Sequence, residues 1–70
     1  MAMESQGPSP IRGIRYDEER QRLVVRFVDG DEIAYVGVPG ALHRSFADAP
    51  SKGAFFAEMI RDRFPYNKLT

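Results

Sequence analysis

Two short alternating runs, Arg22-Leu23-Val24-Val25-Arg26-Phe27 and Glu32-Ile33-Ala34-Tyr35-Val36, lie on either side of the turn residues Asp29-Gly30. Alternation of this kind marks half-buried strands. It points Leu23, Val25, Phe27, Ile33 and Tyr35 inward and leaves Arg22, Val24, Arg26, Glu32, Ala34 and Val36 outward. A two-residue turn at Asp29-Gly30 would set Phe27 opposite Glu32 and Arg26 opposite Ile33, which mixes the faces. A three-residue loop, Val28-Asp29-Gly30 with Gly30 in the left-handed region, keeps them separate. In that register Val25 meets Ile33, Leu23 meets Tyr35 and Val24 meets Ala34, while Arg26 faces Glu32.

Residues 11–16 read as a preceding strand with Ile14 and Tyr16 on one face and Arg15 on the other. Ile11 falls out of phase, and a bulge near Arg12-Gly13 restores it. A hairpin that pairs Tyr16 with Leu23 also sets Asp17 opposite Arg22. After Gly37 the pattern changes period. Pro39 opens a short helix whose inward positions are Leu42, Phe46 and Ala49, and Pro50 ends it. A second helix is expected over residues 52–64, with Phe55, Phe56, Met59, Ile60 and Phe64 as its apolar stripe and Pro65 as its stop. The fold class is therefore α+β, a three-stranded antiparallel β-meander followed by two α-helices packed on one face (βββαα). Residues 1–9 lack periodicity and read as a flexible N-terminal tail, and residues 67–70 as a C-terminal tail. The other face of the sheet is expected to be open.

The run from residue 49 to 56, Ala-Pro-Ser-Lys-Gly-Ala-Phe-Phe, combines a helix stop, a helix cap, a cation and a small residue. Ser51 can cap the second helix, while the first amides of that helix lie beside Lys52 and Gly53. Orphan amides and the positive end of the helix dipole favour an anion such as a phosphate or carboxylate. The same run is also a well-made helix start, a reading that needs no ligand.

Seventy residues without a cysteine exclude a disulfide framework, a thiolate metal site and a cysteine nucleophile, and fit a cytoplasmic protein. A single histidine, His43, makes a zinc site untenable and leaves a general base without an orienting partner. The carboxylates sit in turns or opposite cations, with no persuasive acid/base pair. We therefore expect no enzyme, no metal and no cofactor. No apolar run is long enough for a membrane span, and the first residues do not have the form of a signal peptide. Ten basic and ten acidic residues cancel, so any nucleic-acid contact must come from a local face.

In order along the chain, Tyr16-Asp17, Leu23, Val25, Phe27, Gly30, Tyr35, Val38-Pro39, the stretch from Ala49 through Pro50, Ser51 and Lys52 to Gly53, Phe56 and Ile60-Arg61 resemble the KTSC domain. That family occurs at the C-terminus of some lysyl-tRNA synthetases and as stand-alone small bacterial proteins, and this chain resembles the stand-alone form. The resemblance spans about residues 9–66, with a single KTSC-like domain over residues 10–66. It implies a small domain of strands and helices with no established activity and, from the company it keeps, contact with RNA. The family's central Tyr-x-Tyr is reduced here, Ile33 standing in place of the first tyrosine. Ala57 stands where an asparagine often follows the aromatic pair of the second helix.

These readings point to a non-enzymatic binding module. Its expected partner is tRNA or another structured RNA, held through phosphates by Lys52, Gly53 and Ser51 at the second helix start and by Arg15, Arg22, Arg26 and Arg61. Stacking on unpaired bases is not expected, because the aromatics belong to the core and only Tyr66 is left unassigned. The alternative is a protein-interaction or homodimer module that uses Val24, Ala34 and Val36 on the open sheet face.

Overall fold

The computed structural model describes residues 10–69, and its first strand, β1 (Ile11–Asp17), carries the bulge that the alternation demands. Ile11 pairs with Phe27 and Gly13 with Arg26, so Arg12 is the extra residue and Ile11 rejoins Ile14 and Tyr16 on the inner face. Strand β2 (Arg22–Phe27) and strand β3 (Glu32–Val36) pair as expected, with Leu23 opposite Tyr35, Val25 opposite Ile33 and Arg26 opposite Glu32. The connecting loop is Val28-Asp29-Gly30. Phe27 N bonds to Asp31 O (2.9 Å) and Gly30 N to Phe27 O (3.0 Å) across it, and Gly30 has φ +96°. An L side chain would be strained at that φ, which is why glycine belongs there.

Helix α1 (Gly40–Asp48) starts without a side-chain cap: the amides of Leu42 and His43 bond to Pro39 O instead. It stops because Ala49 precedes a proline and is driven to extended backbone, φ −66° and ψ 135°. Helix α2 (Lys52–Met59) starts as read, with Ser51 Oγ accepting from Ala54 N at 3.3 Å. It ends about one turn earlier than expected. The amides of Ile60 and Arg61 both bond to Phe56 O, and the chain then turns toward the sheet.

The reason for the early stop lies downstream. Residues expected to form a C-terminal tail instead begin with a fourth strand, β4 (Tyr66–Lys68), which pairs antiparallel with β3 to give the order β1-β2-β3-β4. Pro65 O accepts from Val36 N at 2.9 Å and Leu69 N donates to Glu32 O at 2.7 Å, which anchors both ends of the added strand. Three residues with no alternating pattern carry no strand signal of their own; the unpaired edge of β3 recruits them. The meander and two helices stand as expected, and the sheet is one strand wider. The expected tail at residues 1–9 lies outside the described residues.

The helices cover the inner face. Leu23, Val25, Val38, Phe46 and Ile60 are fully buried, joined by Tyr35 and Phe56. Phe46 stacks on Phe55 with ring centroids 5.4 Å apart, and Phe56 meets Tyr35 edge-on at 5.5 Å. Met59, placed in the apolar stripe by its spacing, is instead exposed at the end of α2, while Phe56 and Ile60 are buried and Phe55 and Phe64 pack against the core. Tyr16 donates its hydroxyl hydrogen bond to Val38 O at 2.6 Å and so ties β1 to the segment that leads into α1.

Phe46→Ala should cost about 3–5 kcal/mol, most of the stability available to so small a core. Met59→Ala should remain within about 0.5 kcal/mol of the parent. Urea unfolding of the two variants checks the contrast, and equal losses would contradict the observed end of α2.

Candidate functional site

The bulge and the loop that set the register also gather Arg15, Arg22 and Arg26 on the outer face of the sheet, away from the helices. Arg15 lies opposite Val24, and Arg22 and Arg26 flank Val24 along β2. Arg26 reaches Glu32 across the strands, Nε to Oε2 3.5 Å, as the pairing implies. Arg22 does not receive Asp17. That carboxylate turns to Arg20 within the hairpin, accepting from its backbone N at 3.3 Å and lying 3.4 Å from its Nη1. An Asp at the start of a turn bonds its own backbone more readily than a residue across the ladder. Among the described residues, Arg15 and Arg22 therefore form no ion pair. They line a shallow hollow that Asp17, Glu18 and Glu19 share.

The apolar residues of this face are less open than the alternation implies. Val24 is 8 % exposed and Ala34 0 %, whereas Val36 is 40 % exposed. Val24 and Ala34 are short side chains facing each other on the two central strands. Long neighbours surround them, Arg15 across from Val24 and Arg22, Arg26 and Glu32 two residues along. Stems of such residues cover apolar surface while their heads stay in water.

Lys52, Ser51 and Gly53 begin α2 on the opposite layer, so the structure does not join them to the outer arginines. Ser51 acts as a helix cap. The Lys52 ammonium donates to Ala49 O at 2.9 Å, satisfying the end of α1. Folding thus accounts for both polar side chains of the run.

Gly53 and Arg61 meet elsewhere. Both line a groove of about 510 Å3 between α2 and the β3–β4 edge, together with Phe56 and Ala57 of the helix and Ile33, Tyr35 and Tyr66 of the strands. Phe27 and Pro10 also line it, and Asp62 lies beside Arg61 at an Nε to Oδ2 distance of 3.8 Å. Tyr66 is 61 % exposed and stands 5.8 Å from the Tyr35 ring. Tyr35 is 3 % exposed, and its hydroxyl has no hydrogen-bond partner among the described residues. Burial raises the Tyr35 phenol above its ordinary value of 10.0; Tyr66 and Asp62 add to the rise and Arg61 opposes it. The sequence assigns Tyr35 to the core correctly. Nothing in its spacing shows a hydroxyl without an acceptor.

Among the described residues, no group of three or more His, Asp or Glu side chains converges to hold a metal ion, and no helix is long and apolar enough to cross a membrane.

Because the folded phenol titrates above the unfolded one, the stability Tyr35 contributes is fully present below pH 10.0 and is lost as pH rises through the folded value. Thermal unfolding across that alkaline range should fall less steeply for Tyr35→Phe than for the parent, and parallel curves would contradict the shift.

Known proteins share this architecture. A KTSC domain protein from Yersinia pestis has a crystal structure that matches with a TM-score of 0.82 at 35% identity, covering 90% of each chain. The lysine–tRNA ligase of Trichormus variabilis is 33% identical over 60 residues, 86% of this chain and 11% of the ligase. That of Nostoc punctiforme is 31% identical over 62 residues, again 11% of the ligase. The chain thus matches only a small module of those enzymes. The family model of the KTSC domain covers residues 9–64, and with the matching fold this chain belongs to the KTSC domain family.

Proposed function

We propose that this chain is a non-enzymatic, cytoplasmic binding module that contacts tRNA or another structured RNA through its phosphates. The observation that carries the reading is the pair Arg15 and Arg22. They sit on one sheet face without an ion pair among the described residues, while the nearby carboxylates Asp17 and Glu32 are engaged by Arg20 and Arg26. Two such guanidiniums on a rigid sheet can each meet a phosphate oxygen. The lysine–tRNA ligases that carry a similar segment act on tRNA by name, which supports RNA as the source of those phosphates. Glu18 and Glu19 in the same hollow oppose a polyanion, so the contact is local and selective for backbone shape rather than a broad electrostatic footprint.

The start of α2 is the second phosphate position, through the backbone amides of Lys52 and Gly53 and the cap at Ser51. Lys52 would have to release Ala49 O to add its charge there. Arg61 belongs to the groove face. A protein-interaction or homodimer role for the outer face is the alternative, with Val36 offering the exposed apolar surface there and Val24 and Ala34 lying beneath their neighbours.

Titrating tRNA over a range of salt checks the reading. Arg15→Ala and Arg22→Ala should each weaken binding and reduce the slope of log K against log salt by about 1. Amide shifts over residues 51–55 report the α2 position separately. RNA binding that is absent at low salt, or unchanged in both arginine variants, would overturn the proposal. A mass that rises with concentration and falls back in Val36→Asp would favour the homodimer instead.

A further inference from the structure

In the groove between α2 and β4, an apolar floor, an exposed aromatic ring and a hydroxyl with no partner among the described residues meet. Its volume of about 510 Å3 lies within the ~300–1,000 Å3 typical of small-ligand sites. Phe56 and Phe27 pack edge-on at 5.6 Å and form part of its wall, and Tyr66 stands at its edge with 61 % of its surface free. Among the described residues, no protein group accepts from the Tyr35 hydroxyl, although the residue is 3 % exposed and lines this groove. A buried hydroxyl without a protein partner is costly, and the groove is the side from which an acceptor can reach it. Arg61 and Asp62 extend from the turn after α2, with side chains 59% and 82% exposed.

We propose that this groove binds a nucleobase, with the ring against Tyr66, an acceptor on its edge taking the Tyr35 hydroxyl hydrogen bond, and Arg61 placed for an attached phosphate. The chemistry decides among occupants. An aliphatic or phenyl side chain from a protein partner fits the apolar wall and leaves the Tyr35 hydroxyl without an acceptor. A base is flat enough to stack and carries acceptors on its rim, and an exocyclic amine can donate to Asp62. The charges at the mouth complement a nucleotide, guanidinium to phosphate and carboxylate to amine. The inference goes beyond the phosphate contacts proposed for the outer face, because stacking and the Tyr35 bond need no phosphate.

An NMR titration of the full chain with adenosine and with uridine, both uncharged, tests it without involving the outer arginines. At least one should move the amides of Gly53, Ala57, Arg61 and Tyr66, to the same extent at low and high salt. Tyr66→Ala should weaken binding roughly 5- to 100-fold. Tyr35→Phe should weaken it about 2- to 10-fold while the free protein becomes no less stable, since the hydroxyl removed has no partner among the described residues. With adenosine monophosphate in place of adenosine, binding should tighten, and Arg61→Gln should erase that difference. A single-stranded oligonucleotide that binds more tightly than the monophosphate identifies the base as part of RNA; equal affinity identifies a free nucleotide, and either supports the proposal. Absence of shifts with both nucleosides overturns it. So does N-acetyl-phenylalaninamide binding as well as either nucleoside with no effect of Tyr35→Phe, which would assign the groove to a protein side chain.

Discussion

The phase of β2 governs the rest of the molecule. Leu23 and Val25 are fully buried beneath the helices, and Arg22 and Arg26 lie on the other side of the same strand. A slip of one residue would invert both sets at once, placing guanidiniums in the core. Two irregularities hold the phase on either side. The extra residue Arg12 brings Ile11 back to the inner face of β1, and the loop of Val28-Asp29-Gly30 returns the chain with Ile33 and Tyr35 facing inward. Both candidate surfaces follow from this arrangement: the outer arginines belong to the outward side of β1 and β2, and Tyr35 with Ile33 to the inward side of β3.

The second layer is assembled around helix ends rather than long helices. Pro50 ends α1, Ser51 caps α2 and Lys52 reaches back to Ala49 O, so three consecutive residues turn the chain between two helices with few polar groups left over. This is why a run that looks like an anion site has most of its chemistry engaged in folding. At the other end, α2 stops at Met59 and the chain turns so that Pro65 O can meet Val36 N. That turn carries Arg61 and Asp62 to the edge of the sheet and sets Tyr66 beside Tyr35. The groove is a consequence of ending the helix early and adding a strand.

Local pattern carried much of the fold. Alternation gave the faces of β2 and β3, the parity argument gave the loop and its positive-φ glycine, and the out-of-phase Ile11 announced the bulge. The Ser51 cap and the stop at Pro50 were equally legible, because a cap and a proline act within a few residues of themselves. Ion pairing was legible only where the ladder imposed it. Arg26 meets Glu32 directly across the strands, whereas Asp17 had a closer competitor in Arg20.

By itself, the sequence determined the strand faces, the hairpin register, the helix starts and the supply of cations, since each is set by side-chain period or by a residue's own backbone preference. Only the tertiary structure decided the length of α2, the fourth strand, the covering of Val24 and Ala34 and the meeting of Tyr35, Tyr66 and Arg61. Each of those depends on what a distant segment offers: a free strand edge for residues 66–68, long neighbours for small side chains, and, among the described residues, no acceptor for the Tyr35 hydroxyl. Such facts are properties of contacts between elements, and no window along the chain contains both partners.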